Sequence, residues 1–189
     1  MLEKLIELDK LLFLVLNGAG VESYDNVWVF ITKTRSAIPL FIFIIYLLIK
    51  KYKKQFWLPL AIILVTVGLA DLSSVHCFKN VFLRLRPCHE PEFMDQIRLL
   101  VHKGGMYGFV SSHAANFFAL AAIVSSIFSR KRYIPFVFYT WASIVAYSRI
   151  YVGKHYFLDI LGGAVLGIII AKLIWRLSLK INEKYKLAL

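Results

Sequence analysis

Residues 155–175 read HYFLDILGGAVLGIIIAKLIW. From 156 to 175 the run is apolar apart from Asp159 and Lys172, and it has the ~20 residues an α-helix needs to cross a hydrocarbon core. It predicts a transmembrane helix. Gly163 and Gly167, with Gly162 before them, form a GxxxG pattern that lets another helix approach closely. Packing within one chain is the expected use, ahead of dimerisation. Asp159 lies inside the span, where an ionisable group is costly and marks function.

Four more apolar runs lie upstream, at about 28–49, 56–75, 114–128 and 135–147. The expected fold is all-α, a polytopic transmembrane helix bundle of about five spans. Residues 1–16 space Leu5, Ile6, Leu12, Phe13 and Leu16 at helical intervals among charged residues, as an amphipathic helix in the interface would. It is the sixth span if it crosses. Asn17-Gly18-Ala19-Gly20 breaks it. The whole chain, 1–189, is expected to be one domain with a motif core at 56–175 and a polar loop at 88–110. Within that loop Phe93, Met94, Ile97 and Leu100 suit a short surface helix. No cleavable leader is visible at the start.

Composition supports the bilayer. Hydrophobic residues make up 59% of the chain, mean hydropathy is +0.67, and the net charge is +12. Soluble domains are nearer half apolar. No basic stripe falls on a soluble element, which argues against nucleic acid as a partner. Lys and Arg collect in Lys50-Lys51-Tyr52-Lys53-Lys54, in Ser129-Arg130-Lys131-Arg132 and in the tail. The positive-inside rule makes those segments cytoplasmic and turns the loops at 76–112 and 148–155 outward. Two cysteines, Cys77 and Cys88, are too few for a disulfide scaffold, and no disulfide between them is expected.

Three polar clusters fall on the outward side. Lys79 and Arg86-Pro87 are seven positions apart, which puts both cations on one face if the helix continues that far. A guanidinium suits bidentate phosphate binding, and an ammonium acts as a point charge. Ser111-Ser112-His113 stands where a helix would begin, with free N–H groups for an anion. Ser148-Arg149 is followed by His155 and Asp159, which are four apart and able to meet on a helix. A carboxylate on one imidazole nitrogen leaves the other free to attack.

Together these clusters resemble the type 2 phosphatidic acid phosphatase superfamily, whose signature is K-x6-R-P, then P-S-G-H, then S-R-x5-H-x3-D. The first and third motifs match at every defined position. The middle one has Val110 for Pro and Ser112 for Gly. The resemblance implies a membrane lipid phosphatase with no metal and no cofactor. His155 would be the nucleophile, forming a phosphohistidine. Asp159 would orient it, and His113 would protonate the leaving oxygen. Lys79, Arg86, Ser111, Ser112 and Arg149 would hold the phosphate. The implied partners are a membrane lipid substrate and the bilayer, with no obligate protein partner evident. The expected setting is a bacterial inner membrane with the site facing the periplasm or outside. The expected substrate is undecaprenyl diphosphate, with Lys103 or Arg84 serving its second phosphate. Phosphatidylglycerol phosphate, phosphatidic acid and lipid A phosphates are the alternatives within the class. A non-catalytic lipid-binding or transport protein is the alternative outside it.

Overall fold

The computed structural model describes residues 1–92 and 94–186, and the side chain of Leu2 is also outside the description. Among the described residues the fold is helical, without strands. The helices are α1 (Leu2–Gly18), α2 (Glu22–Ile31), α3 (Ile38–Tyr52), α4 (Trp57–Phe82), α5 (Ser112–Ile127), α6 (Tyr133–Tyr151) and α7 (Phe157–Tyr185). Of the described helices, α4 and α7 are each long and apolar enough to cross a membrane. The stretch from Glu22 to Gln55 qualifies as a third crossing only if its two halves are taken together, and α5 is a shorter apolar helix.

Two expected elements differ in form. The run at 28–49 is broken between α2 and α3 by a bend of 69°. Thr34–Ala37 is a 3-10 turn there, and Ser36 donates its hydroxyl to the carbonyls of Ile31 and Lys33 at 2.8 Å each. A hydroxyl that takes over main-chain acceptors ends a helix. The surface helix expected from Phe93 to Leu100 is reduced to a 3-10 turn at Met94–Gln96, with Phe93 itself outside the described residues. The chain after it is held down. Arg98 Nη2 donates to both carboxylate oxygens of Asp25, at 2.7 and 2.8 Å, and its main-chain N–H donates to Asn17 Oδ1 at 2.8 Å.

The core is built on α5. Ala119, Ala121, Ile123 and Val124 are fully buried, and α5 packs against α4, α6 and α7. The glycine pattern has its expected use within the chain. A Cβ on Gly163 would lie 2.5 Å from the carbonyl oxygen of Ser111, and one on Gly167 would lie 2.2 Å from that of Ala115. The α7 backbone therefore rests directly on the α5 backbone. Outward-facing Leu64, Phe136, Val165 and Leu173 are exposed, as side chains in contact with lipid are.

α1 is amphipathic in an inverted sense. Its exposed side carries Leu5, Leu8, Leu11, Leu12 and Val15, with Glu3, Lys4 and Glu7 toward its start, while Asp9, Phe13 and Asn17 are its buried face. These three positions lie four apart and share one side of the helix. Asn17 Nδ2 donates to the carbonyls of Ile150 and Tyr151 at the end of α6, at 3.1 and 2.9 Å. Asp9 Oδ1 accepts the N–H of Leu158 at the start of α7, at 3.0 Å. One helix thus caps the carbonyl end of α6 and the amide end of α7, where main-chain groups lack intrahelical partners.

Candidate active site

The C-terminal ends of α4 and α6 and the N-terminal ends of α5 and α7 meet at one end of the bundle. The Lys-rich turn after α3 and the basic turn after α5 lie at the other end, where Lys51 donates to the carbonyl of Ile127 at 2.7 Å. At the first end a cavity of about 610 Å³ is lined by Lys79, Arg86, Ser112, His113, Arg149 and His155. Six of the eight residues singled out from the sequence therefore converge on one space.

Lys79 and Arg86 meet by a different route from the one expected. α4 contains a π-helical turn at Ser74–Lys79 and ends at Phe82, where Leu83 takes a left-handed conformation with φ 48°. The chain then runs extended. Leu85 bridges to Tyr107, and Arg86 N–H donates to the carbonyl of Met106 at 2.9 Å. Arg86 precedes Pro87, which disfavours helical backbone at that position. The seven-residue spacing thus spans a turn, not one helix face. Arg86 Nε donates to the Tyr107 carbonyl at 3.0 Å.

The two serines divide their work. Ser111 is fully buried as the N-cap of α5, its Oγ accepting the N–H of Ala114 at 3.4 Å, and it does not line the cavity. Ser112 does. Lys79 donates to its Oγ, and Ser74 Oγ lies 2.7 Å from it. Arg149 is 8% exposed and hydrogen-bonds Thr32 Oγ1, while its Nε–H is buried without a partner among the described residues. That N–H is a donor ready for an anion.

His155 is buried with Nδ1 at 3.2 Å from Asp159 Oδ2, so its Nε2 is the nitrogen left for chemistry. Burial above all, then the charges of Arg149, Arg86, Lys79 and Lys154, hold this imidazole well below its usual range. That shift favours the neutral ring, the form in which an imidazole nitrogen can attack. Asp159 is fully buried behind it and also accepts the N–H of Tyr156 at 3.1 Å.

Such an arrangement can bind a phosphoryl group among cations and helix N–H groups with an imidazole set to attack it. The comparisons agree. The family model for the PAP2 superfamily matches residues 56–183. The chain belongs to that superfamily. This PAP2 protein is 33% identical to a lipid A 4′-phosphatase of Porphyromonas gingivalis, over 97% of this chain and 78% of the other. It is 31% identical to a lipid A 4′-phosphatase of Bacteroides thetaiotaomicron, over 88% of this chain and 75% of the other. Its fold is similar to the crystal structure of a transmembrane PAP2-type phosphatidylglycerolphosphate phosphatase from Bacillus subtilis. That likeness has a TM-score of 0.74 at 22% identity, over 94% of this chain and 88% of the other. It is also similar to LpxE of Aquifex aeolicus, with a TM-score of 0.67 at 22% identity, over 87% of this chain and 93% of that one. The PAP2 protein is thus a membrane lipid phosphatase, a hydrolase of phosphoric monoesters.

The cavity of this PAP2 phosphatase holds residues that the sequence reading passed over. Thr32 and Lys33 reach it from the α2–α3 bend, and Lys154 from the residue before His155. Lys154 donates to the carbonyls of His102 and Lys103, and burial with the repulsion of Arg86 lowers its pKa to about 8. A charged residue inside a motif of fixed spacing was the available signal for Lys154; nothing local marked Thr32. Asp71 also lines the cavity and accepts from Asn116 Nδ2 at 2.9 Å. Arg84, expected as one candidate for a second phosphate, is not among the residues that line this cavity. Its guanidinium is shared between Asp9 and Asp159, at 2.7 and 2.9 Å. Cys77 and Cys88 are free thiols, Cys88 buried with Sγ 3.8 Å from the Lys103 carbonyl.

Proposed function

We propose that this phosphatase removes the 4′-phosphate of lipid A. The observation that carries the reading is the pair of relatives, 33% and 31% identical along most of the chain, both lipid A 4′-phosphatases. The preference expected from sequence, undecaprenyl diphosphate, becomes the second reading. It is favoured by the number of cations lining the cavity: Lys33, Lys79, Arg86, Arg149 and Lys154 are more charge than one monoester needs.

In the proposed reaction Lys79, Arg86, Arg149 and Ser112 hold the non-bridging oxygens, with Lys154 beside them. His155 Nε2 attacks phosphorus in line while the bond to the sugar oxygen breaks. His113 gives that oxygen a proton, and the sugar leaves as a free hydroxyl. Water then attacks the phosphohistidine, passing a proton back to His113, and inorganic phosphate departs. Asp159 holds the imidazole and stabilises the positive ring that phosphorylation creates. Convergent cations supply most of the rate, since phosphoryl transfer depends on positioning and charge. Ser111 acts through the backbone, by starting α5. The setting proposed is a bacterial inner membrane, with the cavity at the periplasmic end and the Lys50–Lys54 turn in the cytoplasm.

The test is to compare kcat/KM for bisphosphorylated lipid A, undecaprenyl diphosphate, phosphatidylglycerol phosphate and phosphatidic acid in matched detergent micelles. The reading expects lipid A to lead, with mass spectrometry showing loss from the 4′ position. A tenfold preference for another lipid, about 1.4 kcal/mol of differential transition-state binding, would reject it. Cysteine labelling in intact cells tests orientation: position 103 should react and position 52 should not.

A further inference from the structure

We infer that α1 belongs to the catalytic apparatus, with Asp9 a positioning residue that acts through Arg84 and Asp159 on His155. The inference rests on His155 being the nucleophile.

Asp9 is 3% exposed, on a helix that turns Leu5, Leu8, Leu11, Leu12 and Val15 outward beside Glu3, Lys4 and Glu7. Its Oδ2 takes one Arg84 nitrogen at 2.7 Å, and Asp159 Oδ1 takes the other at 2.9 Å. The remaining oxygen of each carboxylate goes to the first turn of α7: Asp9 Oδ1 to Leu158 N–H, and Asp159 Oδ2 to Tyr156 N–H and His155 Nδ1. The guanidinium lies 4.3 Å over the Tyr156 ring. His155 is therefore the end of a continuous chain from Asp9 through Arg84 and Asp159.

Charge explains why a second carboxylate is needed. An Arg84–Asp159 pair alone would be neutral, and the guanidinium would draw on the carboxylate that must stabilise the imidazolium. With Asp9 on its other side, Arg84 is shared between two anions. The trio carries one net negative charge, matching the positive charge that His155 gains on phosphorylation. A buried ionic trio is a weak stabilising device compared with apolar packing, so stability alone does not account for it. Asp9 also lies outside residues 56–183, the part that matches the family, so the chain's own N-terminal helix supplies it.

The test compares purified wild-type protein with D9N, R84Q, D9N/R84Q and H155A, in detergent micelles on whichever phosphorylated lipid the wild type hydrolyses. D9N keeps an acceptor for Leu158 and loses the charge. It is expected to lower kcat about tenfold with KM within about twofold, since no phosphate contact changes. In the R84Q background D9N should add less than about twofold, because its effect passes through Arg84. D9E should recover part of the loss. Wild-type kcat in D9N, a rise in KM alone, or losses that multiply in the double variant would each overturn the inference. Should D9N fail to fold, R84K carries the test. It keeps the charge and cannot span both carboxylates, so a lowered kcat at unchanged melting temperature supports the inference and wild-type kcat overturns it. H155A separates the two levels. Turnover in H155A defeats the reading of the site itself. A dead H155A beside a normal D9N and R84K defeats this inference alone.

Discussion

Two cavities share their walls and differ in almost everything else. The candidate active-site cavity, about 610 Å³, is lined by Lys79, Ser112 and His155 among others. The other, about 870 Å³, is lined mainly by apolar residues, among them Phe78, Val110, Leu161 and Val165 with Tyr156, and by Lys10, Arg84 and Glu90. Each of the three motif segments thus turns a polar residue to one cavity and an apolar neighbour to the other. The larger space is the one without a nucleophile. Size and apolar lining follow from life in a bilayer; only convergence of cations on a neutral imidazole marks where a phosphoryl group reacts.

The comparison predicts how substitutions on the two sides should part company. H155A, on the polar side, should lower kcat at least ~10⁴-fold and abolish acid-labile phosphate labelling of the protein, because His155 is the cavity-lining imidazole that a buried carboxylate, Asp159, holds by its other nitrogen. Residual labelling would move the chemistry elsewhere. R149K should lose on the order of 10²-fold in kcat/KM. It keeps the charge and removes the planar fork and its partnerless Nε–H. A loss under threefold would reduce Arg149 to a point charge.

Lys154 should report through pH. Its charged form is present below about 8 and is lost as pH rises through that value. Phosphate binding should therefore weaken above pH 8, with KM rising a few-fold between pH 7 and 9. K154A should start with a higher KM and show a smaller rise. Equal pH profiles would remove Lys154 from the binding set. The smallest effect belongs to the apolar side. L161W narrows that cavity and should leave kcat within about twofold. A larger fall would mean that the two cavities are coupled.

Much of the site was legible because each motif is local. The His155–Asp159 pair forms as expected, though not on one helix, since His155 precedes α7 and Asp159 reaches back to it from the first turn, and a Ser before an apolar run starts α5. What escaped was tertiary. Lys79 and Arg86 suggested one helix face, yet Leu83 turns the chain and Tyr107 receives it, a pairing across more than twenty residues that no period reveals. α1 ends at Gly18, within the expected break, but the second task of Asn17, as a cap for α6, was not visible. Asp9 carried a usable signal, an acid on the same face as Phe13, but its partner Arg84 is far along the chain. The helical class was plain from hydropathy, while the bend between α2 and α3 depended on one hydroxyl, Ser36, finding two carbonyls.

The glycine seam between α5 and α7 has a mechanical consequence. Main chain touches main chain at Gly163 and Gly167, so the two helices can neither slide nor separate without leaving a void. His113 stands on one of them and Asp159 on the other. The spacing of the two backbones that carry these residues is therefore set by the scaffold before any rotamer is chosen. The give needed to admit a headgroup falls to the opposite wall, where the Thr32–Thr34 elbow meets the frame through side-chain hydrogen bonds of Arg149 and His113 to Thr32.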